Sequence, residues 1–168
     1  MRTLLTAAAA SAICLAASPA LAQAINDDDA NALLAKLSTP AFDFCTDSDR
    51  AKERPPIDQY NACQTAKAEL AEARKKDRKA TPGQKEVYGF FESALEMGTT
   101  YSMLRVDGSP TARVCQNIEL QWVLASKSNP ELVGPDLRDA LSATKEAVRP
   151  LVKLCRDQFP TPAGALAI

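Results

Sequence analysis

Four cysteines, Cys45, Cys63, Cys115 and Cys155, follow an export-type leader in a chain that contains no histidine. The leader runs from Met1 and Arg2 through an apolar stretch, Leu4 to Ala17, to Ser18-Pro19 and the small-residue site Ala20-Leu21-Ala22. That is the order of a removable secretory peptide, so residues 1–22 are expected to be lost and the mature chain to begin at Gln23, with Ala22-Gln23-Ala24 as a second cleavage site. Cys14 leaves with the leader. It follows Ile13, a bulky residue unlike the Gly, Ala or Ser that precedes a lipid-modified cysteine. A periplasmic or secreted destination is oxidising and favours two disulfides. Without imidazole the chain also lacks the commonest metal ligand and the commonest general base.

Of 168 residues, removal of 22 leaves 146, enough for one domain that buries roughly 70% of its unfolded surface. The domain is expected over 23–159, with a disordered Pro-, Ala- and Gly-rich tail at 160–168. Loss of Arg2 leaves 19 basic against 21 acidic side chains, a near-neutral balance that argues against nucleic acid as the partner. No apolar run after the leader approaches the roughly 20 residues of a membrane span.

Every long segment carries a helical period, so the expected fold is all-α, a compact bundle of about five helices held by two disulfides. The first follows Asn26 as cap, with Asp27, Asp28 and Asp29 at the positive end of the helix dipole, and buries Leu33, Leu34, Leu37 and Ala41 across Pro40. A polar connection from Thr46 to Pro56 leads to a surface helix over 57–79, with Ile57, Tyr60, Cys63, Ala66, Leu70 and Ala73 on one narrow face. Thr81, Pro82 and Gln84 form a capping box that opens a central helix reaching about Arg105. Gly89 and Gly98 inside it each cost about 1 kcal/mol, which predicts close packing by a neighbour at both. Ser109 and Pro110 are expected to start the fourth helix, which buries Val114, Cys115, Ile118, Trp122 and Ala125. Gly134-Pro135-Asp136 opens a fifth, kinked at Pro150, whose stripe runs from Leu137 to Cys155. Phe91 and Trp122 are expected among the most buried side chains.

The cysteine gaps of 18, 52 and 40 contain no Cys-x-x-Cys, the spacing that zinc and thioredoxin-like sites use. Disulfides are the expectation. Of the three connectivities open to four cysteines the local one, Cys45 with Cys63 and Cys115 with Cys155, is preferred, each bridge stabilising by about 3 to 4 kcal/mol. A calcium loop begun at Asp47 would need Gly at 52 and Glu at 58 and meets Lys52 and Asp58. No metal and no cofactor are expected. The basic run Arg74-Lys75-Lys76-Asp77-Arg78-Lys79 complements a helix end, with Glu72 placed to pair with Lys76. Glu86, Glu92 and Glu96 read as exposed helix-surface glutamates. Carboxylate catalysis needs no histidine, and Phe91-Glu92-Ser93 resembles the Glu-Ser dipeptide of lytic transglycosylases, where a buried Glu acts as general acid, but the downstream Gly-Leu-Met-Gln-type segment is missing.

From residue 87 onward the chain resembles the Tai-type immunity proteins, small periplasmic helical proteins that neutralise amidase toxins delivered by type VI secretion. The matching residues are Val87-Tyr88-Gly89 with Ala94 and Gly98, then Cys115, then Ser128-Asn129-Pro130-Glu131-Leu132, Ala140-Leu141 and Cys155, with Leu33-Leu34 and Cys45 upstream. The chain departs from that family where Gln116 follows Cys115 and Leu154 precedes Cys155, positions at which the family has proline, and in the long helix at 57–79. The resemblance implies a non-catalytic binding protein that occludes a protein partner such as a peptidoglycan hydrolase. Loop positions on a rigid scaffold make Ser128, Asn129 and Glu131 the candidate contacts. A homodimer is left open, as are two other functions: a carboxylate-dependent cell-envelope hydrolase and a structural envelope or stress protein.

Overall fold

The computed structural model describes residues 24–159; the leader and the tail lie outside the described residues. Helix starts follow cap chemistry. The Asn26 side chain accepts from the Asp29 N–H at 2.8 Å and opens α1 (Asp27–Leu37). The chain does not carry one helix across Pro40, which has no N–H to donate to the turn before it. Thr39 caps a new helix instead, α2 (Pro40–Thr46), by accepting from the Phe42 N–H at 3.2 Å. The connection expected at 46–56 contains a short helix of its own, α3 (Ser48–Lys52), because the Asp47 carboxylate takes the Asp49 and Arg50 N–H groups.

Next come α4 (Pro56–Lys76) and α5 (Pro82–Asp107), the latter with both capping-box bonds between Thr81 and Gln84 in place. Thr111, not Ser109, caps α6 (Ala112–Lys127), and Pro110 precedes the cap rather than filling the first turn. A 3-10 turn at Pro130–Leu132 leads to α7 (Pro135–Gln158), one continuous helix with Pro150 on its exposed side. The described residues thus form seven α-helices rather than five, and no strand, only an isolated bridge between Ile25 and Val133.

Helix α5 is the centre. It packs against α1, α2, α4 and α6, and buried residues such as Val87, Tyr88, Ser93 and Glu96 lie all round it. One apolar cluster joins Leu37, Leu70, Phe91 and Leu95 around the Cys45–Cys63 disulfide, and Phe42 stacks on Phe91 with ring centroids 4.3 Å apart. A second gathers Ile25, Ala30, Val87, Val133, Leu137 and Leu141. A third lies between α6 and α7, where Val114, Ile118, Val148 and Val152 surround the Cys115–Cys155 disulfide. Cα atoms are 4.8 Å apart in the first bridge and 5.3 Å in the second.

Several side chains depart from the sequence expectation. Ile57 is 54% exposed, because α4 turns Gln59 rather than Ile57 towards the core, where the Gln59 amide donates to the Cys45 carbonyl at 2.9 Å. Trp122 is only partly buried, at the edge of the third cluster. Gly98 meets its expectation, since a Cβ there would fall on the Cys45 carbonyl oxygen, whereas a Cβ on Gly89 would meet no atom within 4 Å. Close packing therefore explains one glycine and leaves the other facing open space.

Candidate binding surface

The residues singled out at the end of α6 form a short, heavily tied segment. The Ser128 hydroxyl donates to the Ala125 carbonyl at 2.7 Å, closing the last turn of α6. The Asn129 N–H donates to the Glu86 carboxylate on α5 at 3.0 Å, while the Asn129 side chain accepts from the Glu131 N–H at 3.1 Å and caps the 3-10 turn. From α7, the Arg138 guanidinium donates to the Pro130 carbonyl at 3.1 Å. From the N-terminal side, the Ile25 N–H donates to the Leu132 carbonyl at 2.9 Å. Gly83 makes that approach possible, because a Cβ on it would lie 2.5 Å from the Ile25 nitrogen and 2.7 Å from the Leu132 oxygen.

Three other parts of the chain thus fix the backbone of 128–132, so its exposed groups are held rather than floppy. Asn129 and Glu131 are exposed and Ser128 is half-buried. Ser128 and Asn129 each spend one side-chain group on capping. The Glu131 carboxylate enters no hydrogen bond or ion pair among the described residues.

Next to this segment, α5, α6 and α7 leave a cleft of about 170 Å³ whose lining includes Glu86, Gly89, Ser93, Leu124, Ser128 and Leu141. Gly89 holds it open by having no side chain. Ser93 is 3% exposed and its hydroxyl has no hydrogen-bond partner. That is unusual within this molecule: Thr99 and Thr100, on the same helix, each return their hydroxyl to the carbonyl four residues back. The sequence singled out Ser93 only within the Phe91-Glu92-Ser93 string; the local signal for an opening beside it is a glycine four residues earlier.

The glutamates sort differently from the expected exposed set. Glu96 is buried, 7% exposed, and its carboxylate pairs with Lys67 of α4 at 2.7 Å. Burial of a carboxylate is tolerable only with such a partner. Its backbone carbonyl is also in demand, accepting from the Asn117 and Gln121 amides at 3.1 Å each, and both amides donate to the Thr100 hydroxyl as well. A polar seam therefore joins α5 to α6. Glu92 is part-exposed and pairs with Arg74 at 2.8 Å, and it lines neither the α5–α6–α7 cleft nor the groove beside α4.

That groove, of about 750 Å³, runs past Leu37, Ala73 and Tyr88. Its charged lining mixes Lys36 and Lys76 with Glu69, Glu72 and Asp77. Two cations of the basic run are paired, Arg74 on Glu92 and Lys75, rather than Lys76, on Glu72 at 2.6 Å. Lys75 and its neighbour Lys76 hold the Glu72 carboxyl below its ordinary pKa, chiefly through the Lys75 hydrogen bond. Burial, and next the hydrogen bond to Asp77 at 3.1 Å, raise the pKa of the Tyr88 hydroxyl. Among the described residues no three Cys, Asp or Glu side chains converge as metal donors, and no helix is long and apolar enough to cross a membrane.

No protein-family model, curated protein or solved structure matches the chain.

Proposed function

We propose that the protein is a non-catalytic, exported binding module whose contact surface is the 126–136 segment, with Ser128, Asn129 and Glu131 at its centre. The partner is a protein, in the manner of an immunity protein that occludes a cell-wall amidase, as the resemblance in residues 87–155 implies. One observation carries this reading. The segment is exposed yet held from α5, α7 and the N-terminal side by Glu86, Arg138 and Ile25. Such pre-organisation lowers the entropy lost on binding. Two buried disulfides fit an oxidising compartment, periplasmic or extracellular.

The carboxylate-hydrolase alternative would need a general acid beside a substrate cleft. Glu92 and Glu96 are instead engaged with Arg74 and Lys67. The oxidised mature protein, incubated with purified peptidoglycan and muropeptides, is expected to release no products. Turnover that disappears in Glu92→Gln would replace the binding reading with the enzymatic one. Affinity capture from periplasmic extract, followed by mass spectrometry, is expected to return a protein whose retention falls at least tenfold in Glu131→Arg. That loss corresponds to about 1.4 kcal/mol.

A further inference from the structure

Resting on the binding reading, we propose that the cleft between α5, α6 and α7 is the anchor pocket of this surface and receives an acidic side chain of the protein partner. Three observations converge on it. Its volume, about 170 Å³, is below the roughly 300 Å³ at which small-molecule sites begin, and suits one inserted side chain. Gly89 lies mid-helix, where glycine is less favourable than alanine, and no packed neighbour accounts for it. The space it leaves is the cleft itself. Ser93 lines this space with a buried hydroxyl that has nothing to bond, a desolvation cost that an inserted acceptor would relieve.

Charge then selects the occupant. Lys85 and Lys127 line the cleft and enter no ion pair among the described residues, while Glu86, the one acidic residue there, already accepts the Asn129 N–H. With two basic side chains against one acidic, the lining keeps a net positive charge. A glutamate laid along Leu124 and Leu141 would bring its carboxylate towards Ser93, in a lining that also holds Lys85 and Lys127. The Asn129 to Glu86 bond ties the cleft to the exposed 128–132 segment, so one partner could span both.

The test uses the full oxidised mature chain, isotope-labelled, titrated with acetyl-Gly-Glu-Gly-amide while amide shifts are followed by NMR. Saturable shifts are expected at Gly89, Ser93 and Ser128, at least threefold weaker with the Gln peptide and absent with the Lys peptide. Gly89→Leu should abolish them by filling the cleft. Ser93→Ala, which removes an unpartnered buried hydroxyl and should raise rather than lower the thermal midpoint, should weaken them about tenfold. Equal shifts from all three peptides, or shifts that survive Gly89→Leu, overturn the proposal. Free acetate binding as tightly as the Glu peptide overturns it too, in favour of a small-anion site. A captured partner that binds Gly89→Leu as well as wild type eliminates the anchor pocket while keeping the 128–132 surface; peptidoglycan hydrolysis eliminates the surface reading itself.

Discussion

The two disulfides sit in unlike surroundings. Cys45–Cys63 closes 18 residues inside the packing of α2, α4 and α5: both sulfurs are fully buried, the Cys45 carbonyl is held by Gln59, and Gly98 of α5 lies against it without a side chain. Cys115–Cys155 closes 40 residues and joins α6 to the distal half of α7. There Val148 and Val152 rest mainly on Val114 and Ile118, with Met103 and Leu104 of α5 at the margin. The first bridge stiffens a kernel that α5 already organises; the second retains a helix end that otherwise has one main neighbour. On loop length alone the longer closure stabilises more, about 4 kcal/mol against about 3. Consequences of losing each should therefore be similar in size and different in place.

The largest single effect is expected within the kernel. Phe91→Ala should cost about 3 to 5 kcal/mol in chemical denaturation, because it removes a buried ring stacked on Phe42. Trp122→Ala, at the margin of the outer cluster, should cost less. Equal losses would erase the distinction between kernel and periphery. Replacing either cysteine pair by alanines should lower stability by about 3 to 4 kcal/mol. A loss well under 1 kcal/mol for Cys45→Ala with Cys63→Ala would mean that α5 packing alone holds α2 to α4.

Smaller effects separate the two glycines of α5. Gly98→Ala forces a methyl group onto the Cys45 carbonyl and should destabilise by about 1 to 3 kcal/mol. Gly89→Ala meets open space and should stabilise by up to about 1 kcal/mol. Thermal midpoints moving in the same direction would contradict the different surroundings described for them. The smallest effect concerns Tyr88. Its raised pKa means that the folded state favours the neutral phenol, so this contribution is complete below about pH 10, the unfolded value, and is lost as pH rises through the folded value above it. Tyr88→Phe should flatten that alkaline decline.

Local signals were legible where they act over four residues or fewer. Thr81-Pro82 with Gln84 located the start of α5, and Asn26 with three aspartates located α1. The same logic applied at Thr39-Pro40, which begins α2, but the apolar stripe from Leu33 to Ala41 ran across it and masked the break. Asp47 looked like part of a polar loop because its capping bonds reach only two and three residues ahead, into a helix too short to show a period. What depends on distant partners could not be read. Lys67, 29 positions before Glu96, makes that glutamate a buried residue rather than a surface one. Nothing local distinguishes Gly98, beneath Cys45, from Gly89, beside an opening. For the candidate site, the 128–132 segment was visible as a polar turn with proline, but the tie from Glu86 and the unpartnered Ser93 hydroxyl arise only when α5 and α6 come together.

Native-state hydrogen exchange on the Cys115→Ala, Cys155→Ala double variant tests the division into kernel and retained helix end most directly. Protection should fall selectively over residues 148–158 of α7, with amides of α5 around Phe91 and Leu95 still exchanging through global unfolding. A uniform loss of protection across α5 and α7 would contradict it, and would make the two disulfides parts of one cooperative unit.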